Sequence, residues 1–209
     1  MTDAGIAWFS ISYTLATDLS RFGTAIRDVQ RAIAFVAAHA REYHVDADRI
    51  GLIGESAGGQ LAAMAALNGD SDRRVRAVVA FYTPTDLVTL AKQSDYVPPQ
   101  LRDSIRGTPW ESLILAGLGR LSPIDNVRPN MPPFLFVHGT ADKLVPFEQS
   151  KNMCSRMQSV GASCEVYPVI GGGHGILWWE SSPRLATGYK LKMVEWLRAK
   201  LATGVPVVS

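Results

Sequence analysis

Gly51-Leu-Ile-Gly-Glu-Ser-Ala-Gly-Gly59 is the stretch from which the fold can be read. The short apolar run from Arg49 to Ile53 reads as a buried strand, and the Ala-, Leu- and Met-rich run from Gln60 to Leu67 reads as a helix, so Ser56 falls where strand turns into helix. Gly54 and Gly58 flank the serine at two residues on either side, which suits a tight turn that holds a hydroxyl outward. In that geometry the amide of Ala57 faces any oxyanion formed on Ser56, and the helix start adds its positive dipole. A serine hydroxyl is a weak nucleophile unless a histidine takes its proton and an acid orients that histidine, so both partners are sought downstream.

The 209 residues are 47% hydrophobic and 19% charged, which suits one globular domain with a substantial core. A net charge of +2 without a run of Lys or Arg leaves no footprint for nucleic acid and favours a small, neutral substrate. No apolar stretch approaches the roughly 20 residues that span a bilayer. The opening residues lack the basic and apolar regions of a secretory leader, so a cytoplasmic location is expected. Cys154 and Cys164 lie ten apart in no zinc-ligand pattern; they read as two small, partly buried thiols rather than a disulfide, and no metal is expected.

Outward from the central stretch, strands alternate with helices. Residues 5–13 are apolar, β-branched and aromatic, and read as a strand covered on both faces. A polar loop over residues 14–20 leads to a helix with Ala25, Val29, Ile33 and Val36 on one face, ending near His44. Residues 75–82 form the next buried strand, followed by the loop Thr83-Pro84-Thr85-Asp86-Leu87, with Tyr82 at the border of the site. Residues 88–130 break into short pieces too long for a plain connection and read as a mobile cap over Ser56. Then come a strand over 133–138, a helix over 147–160, a strand over 164–169, a glycine loop over 171–175 and a last helix over 183–201. This alternation predicts an α/β fold with a mainly parallel sheet flanked by helices and its site at the strands' C-terminal ends.

Asp142 and His174 each follow a predicted strand, in loops at the edge that carries Ser56, and the chain order is Ser, Asp, His. His39, His44 and His138 compete poorly, since two lie on or at the end of the first helix and the third precedes the Asp142 loop. Trp178 and Trp179 follow His174 closely enough to line an acyl or aromatic pocket, although aromatics at the start of a helix commonly serve the core. Glu55 is read as a hydrogen-bonding partner of nearby loops rather than a second catalytic acid.

With Gly54-Glu55-Ser56-Ala57-Gly58-Gly59, Tyr82-Thr83-Pro84-Thr85-Asp86-Leu87, Leu121-Ser122-Pro123-Ile124, His138-Gly139-Thr140-Ala141-Asp142 with Val145-Pro146, and the glycine loop at 171–175, the chain resembles the α/β-hydrolase superfamily. Within it the chain resembles the group of hormone-sensitive-lipase-like and small feruloyl or acetyl esterases. The resemblance implies an α/β-hydrolase fold over the whole chain as one domain. It also implies Ser56 as acylated nucleophile, His174 as general base and Asp142 as its orienting acid, acting on carboxylic esters without metal or cofactor. A formamide-hydrolysing amidase is the alternative enzyme, and a non-catalytic remnant of the fold the alternative outside enzymes. Such esterases carry an upstream His-Gly-Gly loop that supplies further oxyanion donors; this sequence has no such motif and resembles the family from its fourth strand onward. Loss of one donor implies a rate lower by about 10²–10³. If the third strand is missing, residues 5–13 are expected either to pair with the strand before Ser56 or to drive self-association into a homodimer or larger species.

Overall fold

The computed structural model describes residues 1–15, 19–68, 74–93, 106–185 and 188–202. Four parallel strands, β1 (Ile50–Glu55), β2 (Val75–Phe81), β3 (Phe134–Gly139) and β4 (Cys164–Val169), form one sheet in the order β1-β2-β3-β4. All six residues of β3 are buried, as a Phe-Leu-Phe-Val run between two covered faces requires. Among the described residues the α-helices are α1 (Leu19–Ala38), α2 (Ala57–Leu67), α3 (Leu87–Gln93), α4 (Pro109–Leu121), α5 (Glu148–Ser159), α6 (Ile176–Glu180) and α7 (Tyr189–Ala202).

Alternate residues of the strands feed two cores. Val78, Ala80, Phe134 and Phe136 pack on one face with α1, α2 and α5, through Val29, Ile33, Leu61, Met64 and Met153. Val79, Phe81, Leu135 and Val137 pack on the other with α6 and α7, through Trp179, Tyr189, Trp196 and Leu197. The period-2 pleat sends neighbouring side chains to opposite faces, so a strand covered twice must be apolar throughout.

The last helix, predicted over 183–201, begins only at Tyr189, as α7, and the short helix α6 before it was not predicted. The two cysteines, expected as thiols, form a disulfide that ties the middle of α5 to the start of β4. Gly161 at φ +79° reverses the chain between those elements, which is how two cysteines ten residues apart reach a Cα separation of 5.4 Å.

Residues 5–13 are the larger correction. They form no strand and are largely exposed, with Trp8 at 64% and Phe9 at 43% of their surface open. They stand across a trough of about 1360 Å³ from β1, whose outer edge is unpaired among the described residues; α1, α2 and α7 complete the walls. The segment is tethered at its ends, where Arg198 Nε donates to the Ala4 carbonyl and the Thr14 N–H donates to Asp28 Oδ2 at 3.0 Å. β-propensity expresses a fit to a pleated, paired surface, and among the described residues no strand pairs with this segment.

Within residues 88–130, positions 94–105 lie outside the described residues. The rest of this stretch is anchored to the body: Gln60 Nε2 donates to the Leu121 carbonyl at 2.7 Å, the Leu87 N–H to Ser122 Oγ at 3.0 Å and the Ile124 N–H to the Thr85 carbonyl at 3.0 Å.

Candidate active site

Each of the four strands delivers one loop to the same end of the sheet. Ser56 follows β1 directly, with φ 51° and ψ −120°, a conformation that L-residues seldom adopt. Its N–H is held by the Phe81 carbonyl of β2 at 2.9 Å, and its own carbonyl accepts the Gln60 N–H of α2 at 3.1 Å. The small residues that permit this turn are Gly54 and Gly59: a Cβ on Gly54 would lie 2.3 Å from the Gly58 carbonyl, and one on Gly59 would lie 2.0 Å from Thr83 Oγ1. Gly58, to which the sequence reading assigned that part, has nothing nearer than the Tyr13 hydroxyl at 4.0 Å. Ala57 is the first residue of α2, so its N–H has no acceptor within the helix and the positive end of the dipole lies beside Ser56.

Asp142 follows β3 in a turn that it holds itself. Its Oδ1 accepts the N–H groups of Leu144 and Val145, both at 2.9 Å, which leaves Oδ2 for His174 Nδ1 at 2.7 Å. Behind it lies His138, fully buried, with Nε2 at 3.4 Å from Asp142 Oδ2 and 2.8 Å from the Val145 carbonyl. A carbonyl only accepts, so Nε2 carries the proton and Nδ1 accepts from the Ser150 hydroxyl at 2.7 Å. Burial pushes the Asp142 carboxyl up, but hydrogen bonds from His138, His174 and the Val145 N–H outweigh it and hold the group well below the usual carboxylate range. Asp142 is therefore ionised at neutral pH.

His174 has the longest reach. It follows β4, three strands from β1, so its loop must cross about 14 Å at the usual strand spacing. The loop is bound to its neighbour on the way: the Ala141 N–H donates to the Gly172 carbonyl at 2.9 Å, the Gly171 N–H to Thr140 Oγ1 at 2.9 Å and Trp179 Nε1 to the Gly173 carbonyl at 2.9 Å. Gly139 and Gly172 allow this contact, since a Cβ on Gly139 would lie 2.2 Å from the Gly172 carbonyl. The imidazole arrives with Nε2 at 3.0 Å from Ser56 Oγ.

The structure thus brings Ser56, His174 and Asp142 into one hydrogen-bonded line. Such a line can pass a proton from the hydroxyl to Nε2 while the carboxylate stabilises the resulting imidazolium. Tyr82, at φ +35° and 2% exposed, lies beneath His174 with ring centroids 4.6 Å apart. It supports the histidine and offers no surface to a substrate. Trp179 corrects the pocket reading in the same way: it is fully buried against Tyr82, Phe81 and Tyr189, because the inner side of α6 closes the core under the His174 loop. Trp178, one residue earlier and on the outer side, is 73% exposed.

Sequence reading set His138 aside as a competing histidine and missed its place behind Asp142, for which its position at the end of the strand predicted over 133–138 was the signal; it also missed Gln149. The Gln149 side chain accepts the N–H groups of Thr85 and Asp86 at 2.9 and 2.7 Å and so locks the loop after β2 onto α5. Among the described residues no group of three or more His, Cys, Asp or Glu could hold a metal ion, and no helix is long and apolar enough to cross a membrane.

A parallel sheet with a strand-turn-helix bearing serine at its apex, and with later loops converging over the same strand ends, defines the α/β-hydrolase class. The chain belongs to the BD-FAE family, whose profile it matches over residues 1–157. It is 33% identical over 153 residues to the Mycobacterium tuberculosis protein named "Probable carboxylic ester hydrolase LipM", an alignment that covers 68% of this chain and 35% of LipM. Among solved structures, it is similar to a truncated form of a carbohydrate esterase from gut microbiota, with a TM-score of 0.67 and 27% identity, covering 86% of this chain and 69% of the other. The butyrate-bound esterase 2 of Thermogutta terrifontis is similar at a TM-score of 0.65 and 27% identity, covering 86% and 66%. The chain therefore spans about a third of the length of LipM and about two thirds of each of these solved chains.

Proposed function

We propose that this chain carries the catalytic groups of a serine carboxylesterase acting on short-chain acyl or aromatic esters. The observation that supports this reading most is the relay of 3.0 Å from Ser56 Oγ to His174 Nε2 and 2.7 Å from His174 Nδ1 to Asp142 Oδ2. Ser56 Oγ attacks the ester carbonyl while His174 Nε2 takes its proton, and the negative oxygen develops toward the Ala57 N–H at the start of α2. His174 then returns the proton to the departing alcohol, leaving an acyl group on Ser56. A water molecule, activated by the same nitrogen, releases the acid. Asp142 keeps the proton of the resting imidazole on Nδ1, so that Nε2 is free to accept.

Support for an apolar acyl or aromatic group comes from the rim of the His174 loop, where Ile170, Leu177 and Trp178 are 73%, 86% and 73% exposed. The relative solved with butyrate suits a short acyl chain. Trp178 is proposed as the substrate contact among them. We read the chain as one domain in which the described residues between 88 and 130 belong to a cap, its C-terminal part anchored to α2 and the loop after β2. Hydrogen exchange through residues 109–121 as slow as in β1 would argue against movement of this cap.

A panel of p-nitrophenyl esters set against formamides, with a fluorophosphonate probe for Ser56, tests the proposal. Expected are labelling that Ser56→Ala abolishes and turnover of acetyl or butyryl esters. Turnover of formamides alone would assign the amidase chemistry that the same relay supports. A chain that neither labels nor turns over any substrate would be a binding remnant of the fold.

A further inference from the structure

We propose that Glu55 and Tyr82 form a clamp that sets the distance between Ser56 and His174, making both of them positioning residues. The inference rests on the reading of Ser56 as nucleophile and His174 as its base. Glu55 is the last residue of β1 and is bonded covalently to Ser56. Its Oε2 accepts a hydrogen bond from the Tyr82 hydroxyl, and that hydroxyl in turn accepts the N–H of Ile176 at 3.2 Å, two residues past His174. The links close a ring: Ser56, Glu55, Tyr82, Ile176, His174 and back to Ser56 Oγ.

Asp142 grips the imidazole at Nδ1, but the backbone that carries the ring has a glycine on each side, with Gly175 at φ +117°. Such a backbone turns freely unless something stops it. Tyr82 is suited to be the stop. Its own main chain is bound to β3 through its N–H and the Val137 carbonyl at 2.9 Å, and its ring is wedged between His174 and the buried Trp179. Burial, reinforced by Glu55, pushes the phenol up from its usual range, so the hydroxyl stays a neutral donor at working pH. Glu55 is exposed, so its replacement leaves the core untouched.

Tyr82→Phe keeps the ring and removes both hydrogen bonds. It is expected to lower kcat about 10- to 100-fold with KM within about 2-fold, because reacting atoms are misplaced while substrate contacts remain. Glu55→Ala should match it, Glu55→Gln, which retains an acceptor, should stay within about 3-fold of wild type, and the double variant Glu55→Ala/Tyr82→Phe should be no worse than either single variant. A readout independent of turnover is the downfield Nδ1–H proton resonance of His174, expected to broaden in Glu55→Ala and Tyr82→Phe and to persist in Glu55→Gln. Wild-type kcat in Tyr82→Phe, additive losses in the double variant, or an unchanged His174 resonance in both single variants would each overturn the clamp. Absence of Ser56-dependent turnover would overturn the esterase reading instead, and the His174 resonance would then decide the clamp alone.

Discussion

The C-terminal ends of the four strands and the outer edge of β1 behave in opposite ways. At the strand ends every loop is bound to its neighbour: the turn at Ser56 to β2, the Asp142 turn to itself and to the His174 loop, and the loop after β2 to α5. At the outer edge, residues 5–13 carry Trp8, Phe9 and Ile11 into solvent across a trough from Ile53, itself 44% exposed. Apolarity fits a segment for burial, but a strand forms only where another edge accepts its hydrogen bonds.

The sharpest way to break the bound end is Asp142→Asn. Without the carboxylate, His174 loses both its tautomer and the partner of its positive form, and kcat is expected to fall about 10⁴-fold in ester turnover. The same variant has a pH signature. A carboxyl held below its unfolded value of about 3.9 contributes stability that is present above that value and lost as pH falls toward the folded one. Urea titrations of the wild type should therefore weaken below about pH 4, and those of Asp142→Asn should weaken less; equal acid limbs would remove Asp142 from the stability argument.

The two regions can next be compared through one kind of residue. Phe136, fully buried in β3, should cost about 3–5 kcal/mol when changed to Ala. Trp8→Ser should stay within about 0.5 kcal/mol, since most of its surface already meets water. Chemical denaturation of both variants checks this, and a large loss at Trp8 would mean that the segment is covered in solution.

A smaller contrast lies inside the turn. Gly54→Ala, whose methyl meets the Gly58 backbone, should destabilise by about 1–3 kcal/mol, whereas Gly58→Ala, with open space around it, should be near neutral. Equal thermal shifts in the two would show that the turn relaxes. The smallest effect expected is at the open edge itself. Sedimentation should reveal weak, concentration-dependent association that Ile53→Lys abolishes, because a charge on an edge strand opposes pairing. A monomer at every concentration would show that the trough tolerates water.

The sequence by itself determined most of the sheet and the composition of the relay. β1 to β4 are short and mostly apolar, and Ser56, Asp142 and His174 each stand in a turn-forming loop just beyond one of them, so local chemistry marked them. Three kinds of feature were decided only by the tertiary structure. Which glycine the turn at Ser56 needs depends on the Gly58 backbone and Thr83, which touch Gly54 and Gly59. Whether Cys154 and Cys164 join depends on the reversal at Gly161. Whether Trp179 lines the site or fills the core, and whether residues 5–13 become a strand, depends on what packs or pairs against them. Strand and turn preferences act over a few residues and are written in the local sequence, while burial, close approach and edge pairing arise between segments far apart in the chain, and those exist only once it has folded.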